Sequence, residues 1–320
     1  MHSARTEELE HTTRDTMIDT SVLIAGYGAF GRAVHAALVH RDDLAVSVYS
    51  RSPKRFDHPV AGVEHDATAV RTADFDIVVV ALPSYAIRAV LERFKHGSDA
   101  TAFLSCVKGM DPATGQFPSD VINGATGSDY ISVMSGASFA HEMLVGRPVF
   151  LTLACTNPLL GRDLVARIEN DYLQLELSDD VRGLEIAGVG KNIIALGAGM
   201  ADGLDLGENF RAAFIARGIE ELRHVAERLG GQADTIVASG ALADFILSCS
   251  SPRSRNYEHG WNLARADETG AALAEGRESA ESFVRLLRSQ HIESAYFEMI
   301  ATAVSAPAVI AKSLHGSRPS

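Results

Sequence analysis

A glycine-rich turn between two apolar segments constrains the fold of this chain most. The apolar run SVLIA (21–25) leads into GYGAFG (26–31), and RAVHAALVH (32–40) follows with its apolar residues on one side of a helix. A strand, a tight turn and a helix in this order form the first unit of a doubly wound sheet. We therefore expect the folded part of the chain to begin with a βαβ unit.

The apolar pattern changes near residue 180. Before it, short apolar runs alternate with helical spacing, which indicates strands joined by right-handed crossovers; after it, only helical spacing continues. The predicted fold class is α/β, an N-terminal Rossmann-like doubly wound parallel sheet followed by an all-helical C-terminal domain. Strands are predicted at 21–25, 44–50, 75–83, 101–109, 131–136, 149–156 and 172–178, and C-terminal helices at Asp180–Ala201, Asn209–Leu229, Asp234–Cys249, Trp261–Glu275, Ser279–Ser289 and Ser294–Ala303.

Composition narrows the range of functions. The 320 residues are 46% hydrophobic and 22% charged, as in ordinary globular proteins, and the length suits two domains. The net charge of −12 argues against a nucleic-acid binder or a protein that binds anionic membranes. Three widely spaced cysteines form no CxxC or Cys/His cluster, so we expect reduced thiols and no metal site.

The glycines of the first turn have separate predicted tasks. Gly26 permits the tight turn, Gly28 lets the backbone approach a pyrophosphate, and Gly31 allows close packing of helix on strand. Phosphates would then lie at the N-terminus of the helix. Although a glycine turn without a ligand is the alternative, the strand and helix on either side favour dinucleotide binding.

The residues at the end of the second predicted strand indicate which dinucleotide the chain would bind, NAD(H) or NADP(H). Enzymes that bind NAD commonly place an acidic residue there to hold the ribose 2′-hydroxyl. Here the segment SRSPKR (50–55) is cationic, and the first acidic residue after the predicted strand is Asp57. We predict NADP(H), through Arg51 above all, with NAD(H) as the other cofactor; the alternative is that these are solvated loop charges.

This organisation predicts three segments. Residues 1–18 are polar, resemble neither a signal peptide nor a transit peptide, and are expected to be a disordered extension. Residues 19–180 form the predicted dinucleotide-binding Rossmann domain, and residues 181–320 the helical substrate and catalytic domain. The apolar stretch 186–201 is expected to be a buried helix rather than a membrane span. A cytoplasmic location is the resulting expectation.

Lys191 is the only charged residue in the apolar stretch IAGVGKNIIALGAGMA (186–201). Burial disfavours an ammonium, so its pKa is expected to fall toward a range where it exchanges a proton with a substrate oxygen. Asn192 adds a group that could orient a small polar molecule. Asp244, alone in the apolar segment ALADFILSC, could be a buried partner of this lysine. The alternatives are a structurally paired lysine and a surface aspartate.

Three loops add candidate polar groups. Lys108 follows the predicted strand TAFLSCV, at the edge of the sheet where ligands bind in such folds. The segment MSGASFA (134–140) follows another strand and offers backbone N–H groups and hydroxyls. Ser254, Arg255 and Asn256 form a polar cluster whose guanidinium suits a phosphate or a carboxylate.

Together these motifs resemble one enzyme family. The order GYGAFG, ALPSYAIRAV, VKGM, MSGASFAHEM, GVGKNIIALGAGMADGLDLGENFRAAFIARGIEEL, SSPRSRN and AEGRESA is similar to that of NAD(P)-dependent glycerol-3-phosphate dehydrogenases, from Thr20 to about residue 290. The resemblance implies reduction of dihydroxyacetone phosphate to sn-glycerol 3-phosphate for glycerophospholipid synthesis. It also implies a small phosphorylated substrate and a homodimer, with no nucleic acid and no membrane insertion.

The resemblance also implies roles for individual residues. Lys191 would be the catalytic proton donor and acceptor, and Arg255 the phosphate ligand. The implied catalytic residues are Lys191, Lys108 and Asp244. The implied substrate-binding residues are Lys108, Gly136, Ser138, Lys191, Asn192, Asp244, Ser254, Arg255 and Asn256. The implied cofactor-binding residues are Gly26, Gly28, Ala29, Phe30, Gly31, Arg51, Lys108, Ala140, Arg255, Leu273 and Glu275.

Some positions depart from the family pattern. Ala29-Phe30 stands where Ser-Trp is usual, Ala137 replaces a proline, and Ala243 replaces a glycine before the aspartate. These changes concern the shape of the pocket more than the type of reaction. The alternative functions are a related dehydrogenase for another phosphorylated or phosphonylated ketone, and a non-catalytic NADP-binding regulator.

Overall fold

Eight strands form one sheet in the computed structural model, which describes residues 19–51, 60–97, 101–265 and 275–312. The predicted N-terminal extension lies outside the described residues. The sheet has the order β3-β2-β1-β4-β5-β6-β7-β8. The strands are β1 (Thr20–Ala25), β2 (Leu44–Tyr49), β3 (Gly62–Glu64), β4 (Ile77–Val80), β5 (Ala102–Ser105), β6 (Ile131–Gly136), β7 (Val149–Cys155) and β8 (Leu173–Ser178).

The predicted Rossmann-like sheet followed by helices is confirmed, with one difference in strand direction. Every pairing in the sheet is parallel except that of β6 with β7, which is antiparallel. The connection between these strands contains only the one-turn helix α4 (Ala140–Met143). A parallel pair needs a crossover that returns the chain to the opposite edge, and this short connection leaves β7 starting at the edge where β6 ends.

Five helices accompany the sheet and six follow it in the described residues. Apolar residues of β1 alternate between two clusters, Val22 and Ile24 on one face and Leu23 and Ala25 on the other, because helices cover both faces. The helices are α1 (Ala29–Leu38), α2 (Ile87–Leu91), α3 (Pro118–Thr126), α4, α5 (Pro158–Ile168), α6 (Val181–Gly203), α7 (Glu208–Arg228), α8 (Ser239–Cys249), α9 (Arg255–Ala264), α10 (Glu275–Ser289) and α11 (Ala295–Ala303).

Three of the predicted helices are wrong in their bounds. The helix predicted at 279–289 begins earlier, at Glu275. The helix predicted at 234–249 is a 3₁₀ turn (Ala233–Val237) and α8, separated by the extended backbone of Ala238. The helix predicted to begin at Trp261 begins at Arg255 and ends at Ala264. The segment SSPRSRN is not a loop throughout, because Ser254 is the N-cap of α9 and the buried face of this helix begins at Asn256.

Helix α6 is the centre of the helical half. Its residues from Gly183 to Ala201 are buried, and Asp180 caps its first turn by accepting from the Gly183 N–H at 2.8 Å. By length and hydropathy α6 could cross a membrane, but the 18-residue window that meets this criterion is entirely buried inside the protein. The predicted buried core helix is therefore present.

Two glycines allow the backbones of α6 and α9 to pack in direct contact. A methyl group at Gly199 of α6 would overlap the carbonyl oxygen of Tyr257, and one at Gly260 of α9 would overlap the carbonyl oxygen of Leu196. This contact brings the first turn of α9 beside the middle of α6, where Lys191 and Asn192 lie. The glycines therefore determine which polar side chains meet.

We expect Gly199→Ala to lower the free energy of unfolding by about 1–3 kcal/mol, because the added methyl must push two backbones apart. Urea denaturation measures the change. Gly124→Ala in α3 is the matched control, since its methyl would meet only the Arg88 side chain, at 3.7 Å. That control should gain up to about 1 kcal/mol in helix propensity. Equal stability of Gly199→Ala and the wild type would contradict the packing.

Candidate active site

A cleft of about 610 Å³ lies at the carboxyl edge of the sheet, where β1, β2, β4, β5 and β6 end opposite α6, α8 and the start of α9. This is where ligands bind in open α/β sheets. Residues of both halves of the chain line it. The predicted site residues among its lining are Gly26, Gly28, Ala29, Phe30, Arg51, Lys108, Ser138, Ala140, Lys191, Asn192, Asp244, Ser254, Arg255 and Asn256.

The glycine turn has the geometry that its sequence predicts. Gly26 has a φ of +105°, a conformation that residues with a side chain rarely adopt. Gly28 is the N-cap of α1, and a methyl there would meet no atom within 4 Å, so its backbone faces open space. A methyl at Gly31 would overlap the carbonyl oxygen of Gly26. The turn therefore fits a dinucleotide whose phosphates lie against Gly28 at the N-terminus of α1.

A buried pair that the sequence did not reveal fixes this turn. Tyr27 lines the cleft, is 2% exposed, and its hydroxyl lies 2.7 Å from Nδ1 of His35, which is fully buried on α1. The rings meet edge to face at 5.6 Å between centroids. The separation of eight residues places His35 two turns into the helix, a spacing that carried no recognisable motif.

Asp244 of α8 lies between two lysines. Its Oδ2 accepts from Nζ of Lys108 at 2.6 Å, and its Oδ1 lies 3.4 Å from Nζ of Lys191. Ser248, one turn further along α8, donates to Oδ1 at 3.0 Å. The carboxylate side chain is 6% exposed, and those of Lys108 and Lys191 are 15% and 9% exposed. The predicted contact between Asp244 and Lys191 is therefore present, and Lys108 shares it.

The charge of this carboxylate follows from its neighbours. Burial alone raises the pKa of a carboxyl group, but Lys108 and Lys191 outweigh it here. Hydrogen bonds from Lys108 and Ser248 add to their effect, so the pKa of Asp244 lies below its usual range. Asp244 is consequently ionised at neutral pH and can hold two ammonium groups in one small volume.

Two asparagines extend the cluster to α9. Nδ2 of Asn256 donates to Oδ1 of Asn192 at 2.8 Å, and Nδ2 of Asn192 donates to the carbonyl oxygen of Lys108 at 3.3 Å. Asn192 is 1% exposed and Asn256 is 7% exposed. This chain of hydrogen bonds links α9, α6 and the end of β5 beside the lysines.

The first turn of α9 faces the same cleft. Ser254 is its N-cap, and Arg255, its first residue, lines the cleft with an exposed side chain. A helix N-terminus together with a guanidinium suits a phosphate dianion. The geometry therefore offers a phosphate position in the same cleft as the lysines.

Gly136 does not line the cleft, but its backbone carbonyl forms hydrogen bonds with two residues that do. Its carbonyl oxygen accepts from Nζ of Lys108 at 2.9 Å and from the hydroxyl of Ser138 at 3.1 Å. Its φ of +151° is one that residues with a side chain rarely adopt, and a methyl group there would lie 2.9 Å from Cδ2 of Leu151 in β7. Gly136 therefore orients Lys108 from the end of β6.

Part of the predicted cofactor site lies outside the described residues. Leu273, Lys54 and Arg55 lie outside the described residues, and Glu275 is described only as the first residue of α10. Arg51 is exposed at the end of β2 and lines the cleft. Arg51 is therefore the residue of the predicted cationic loop that the structure shows lining the cleft.

Several residues that line the cleft are not among the site residues predicted from the sequence. Leu82 and Pro83 follow β4, Cys106 follows β5, and Ser248 lies one turn beyond Asp244. The first three could have been found from the rule that strand ends line the site. Burial raises the pKa of the Cys106 thiol to about 12, so this thiol stays protonated. Within the described ranges, no group of three or more His, Cys, Asp or Glu residues could hold a metal ion.

Comparison with known proteins agrees with this geometry. The family model for the N-terminus of NAD-dependent glycerol-3-phosphate dehydrogenase matches residues 21–160, and the model for its C-terminus matches residues 180–311. The glycerol-3-phosphate dehydrogenase (NAD(P)+) of Azorhizobium caulinodans is 33% identical over 288 residues, which cover 84% of this chain and 88% of the relative. That of Gluconobacter oxydans is 32% identical and covers 87% of this chain and 90% of its own length.

Solved structures share the fold. The glycerol-3-phosphate dehydrogenase of Coxiella burnetii superposes with a TM-score of 0.82 at 24% identity, over 93% of this chain and 99% of that one. The enzyme of Saccharomyces cerevisiae gives a TM-score of 0.77 at 19% identity, over 91% and 99%. With both family models matched and relatives above 30% identity across most of its length, this chain belongs to the NAD(P)-dependent glycerol-3-phosphate dehydrogenase family.

Proposed function

We propose that this chain reduces dihydroxyacetone phosphate to sn-glycerol 3-phosphate with a preference for NADPH, and that Lys191 moves the proton. The reaction class is that of the family. The observation that carries the assignment of roles is the cluster of Lys108, Lys191 and Asp244, which lies in one cleft between the glycine turn and the N-terminus of α9.

The bound dinucleotide would supply the hydride that adds to C2 of the ketone. Lys191 donates a hydrogen bond to the carbonyl oxygen, stabilises the negative charge that develops there, and transfers a proton to it. In the reverse direction its neutral amine accepts that proton from the alcohol. Asp244 holds Lys191 and Lys108 in position, and the buried setting strengthens each of these interactions.

Substrate orientation is assigned to polar groups at two ends of the substrate. Arg255 and the first N–H groups of α9 bind the phosphate, which fixes one end of the molecule. Lys108 and Asn192 contact the hydroxyl and carbonyl end. Two fixed ends present one face of the ketone to the cofactor, and such positioning supplies a large part of the rate. Ser138, Ser254 and Asn256 complete the polar lining.

The preference for NADPH is assigned to Arg51. It lies at the end of β2, where the adenosine ribose is expected in this fold, and a guanidinium pairs well with a 2′-phosphate. Gly26, Gly28 and Gly31 shape the pyrophosphate site, with Ala29, Phe30 and Ala140 beside it.

Further properties belong to the same proposal. The division at residue 180 is taken as the boundary between a dinucleotide-binding and a substrate domain, because the strands end at Ser178 and α6 begins at Val181. We also propose a cytoplasmic homodimer that supplies glycerol phosphate for glycerophospholipids. Light scattering coupled to size-exclusion chromatography tests the dimer.

Lys191→Met should lower kcat by about 10²–10⁴-fold, the usual contribution of a positioned general acid. NADPH binding, measured by quenching of protein fluorescence, should be unchanged, since the glycine turn is intact. Lys95→Met is the matched control, because Lys95 is exposed and is not among the residues that line the cleft. Near-normal turnover by Lys191→Met would remove the assignment of this residue.

Arg255→Ala should raise the KM for dihydroxyacetone phosphate about 10–100-fold and change kcat little, since it removes a charge-assisted contact to the phosphate. Initial rates over a range of substrate concentration measure both constants. Arg265→Ala, at the opposite end of the same helix, is the control. If both variants raise KM equally, Arg255 does not bind the phosphate.

Arg51→Ala should reduce the ratio of kcat/KM for NADPH to that for NADH by about tenfold, the value of one charge-assisted contact. The loss should fall on NADPH alone, because NADH has no 2′-phosphate. Arg71→Ala, exposed and not among the cleft-lining residues, is the control. A parallel loss with both cofactors would contradict the role of Arg51.

A further inference from the structure

A buried carboxylate joins the helical half to the sheet half, away from the cleft. Glu185 of α6 accepts from the backbone N–H and from the hydroxyl of Ser119, both at 2.8 Å. Arg182, one turn earlier in α6, donates to Oε2 of Glu185 at 3.3 Å and to Asp120 at 2.8 Å. The guanidinium of Arg182 also lies 4.4 Å from the centre of the Phe117 ring. We call this set the α3–α6 contact.

Glu185 supplies what the first turn of α3 lacks. The N-cap of α3 is Phe117, whose side chain cannot accept a hydrogen bond, and the first helical residue is Pro118. The N–H of Ser119 would have no partner within the helix, because the first turn leaves such groups unsatisfied. A carboxylate on a different helix, Glu185 of α6, therefore caps α3. This hydrogen bond forms only when α6 has one axial position and one orientation about its axis relative to α3.

The position of Glu185 on α6 connects this contact to the cleft. Glu185, Gly188 and Asn192 are spaced by three and four residues and therefore share one face of the helix. A methyl at Gly188 would meet the Lys108 side chain at 3.6 Å, and Asn192 donates to the Lys108 carbonyl oxygen at 3.3 Å. One face of α6 thus runs from the α3–α6 contact to the residues around the proposed reaction centre.

We propose that Glu185 is a positioning residue for the reaction: by capping α3 it fixes α6, and with it Lys191 and Asn192, against the end of β5. This inference rests on the proposed function of Lys191. Glu185 acts through the helix and touches neither substrate nor cofactor.

The charge state of Glu185 gives the contact a pH dependence. Burial raises the pKa of Glu185 to about 7, against the opposing effects of Arg182 and the Ser119 hydrogen bonds. Asp120 of α3 raises this pKa further, and Asp180 acts on Arg182. The pKa of Glu185 is higher when the α3–α6 contact is formed than when the side chain is in water, so the formed contact binds the proton more tightly. Rising pH through neutrality therefore weakens the α3–α6 contact.

Three variants test this role. Glu185→Leu keeps the volume but removes both hydrogen bonds. Glu185→Gln keeps an acceptor for the Ser119 N–H and a polar group beside the Ser119 hydroxyl, but it removes the negative charge. Ser119→Ala removes only the hydroxyl bond. For each, kcat with dihydroxyacetone phosphate is measured from pH 6 to pH 8, together with NADPH affinity by fluorescence and folding by circular dichroism.

We expect Glu185→Leu to lower kcat on the order of tenfold with NADPH affinity unchanged, since misplaced reacting groups cost rate and the glycine turn is remote. Glu185→Gln should restore kcat, and its kcat relative to wild type should rise as the pH increases from 6 to 8. Ser119→Ala should move the ionisation of Glu185 to higher pH, because a hydrogen bond to the charged form is lost.

Wild-type kcat in Glu185→Leu, or equal loss in the Leu and Gln variants, would overturn the proposal. If Glu185→Leu does not fold, Ser119→Ala decides, and a pH profile identical to that of wild type overturns it. Wild-type protein without turnover of dihydroxyacetone phosphate would contradict the proposed function instead. In that case the melting temperatures of wild type and Glu185→Gln, compared from pH 5 to pH 8, still test the contact.

Discussion

The ionised carboxylate of Asp244 is the interaction on which the cleft depends. Two ammonium groups repel one another at short distance, and in a buried site that repulsion is little screened. Asp244 compensates both, with 2.6 Å to Lys108 and 3.4 Å to Lys191. Its two partners come from different halves of the chain, one after β5 and one within α6. The same three groups therefore join the two halves of the chain at the cleft and are the ones to which we assign the chemistry.

A buried charged cluster of this kind is weak evidence for stability, and what it does here is join α6 and α8 to the residue that follows β5. Burying charges carries a desolvation cost that their attraction only partly returns, so a well-packed apolar core could be as stable. What the charges provide is one arrangement of α6 and α8 against the sheet. Glycines at 199 and 260 bring α9 to the same point, and the Glu185 contact fixes α6 from the far end. The close packing of α6 is thus the scaffold for the polar site.

Local patterns predicted the parts of the site that are local. The turn at Gly26 could be predicted because its conformation depends on adjacent residues, and Lys191 could be singled out because an isolated charge in an apolar helix needs a partner. The Asp244–Lys108 contact spans 136 residues and has no spacing that identifies it. The capping of α3 by Glu185 spans 66 residues and likewise depends on which elements meet. The Tyr27–His35 pair is local, but a separation of eight residues forms no recognisable motif. The direction of β7 depends on the length of a connection, which apolar periodicity does not report.

The most direct measurement is the rate of NADPH oxidation by the wild-type protein in the presence of dihydroxyacetone phosphate. We predict saturable turnover that yields sn-glycerol 3-phosphate, because the proposed roles place a dinucleotide turn, a proton donor and a phosphate position in one cleft. Tight NADPH binding without turnover of this ketone would contradict it. Screening other phosphorylated ketones would then show whether Ala137 and Ala243 have altered the substrate.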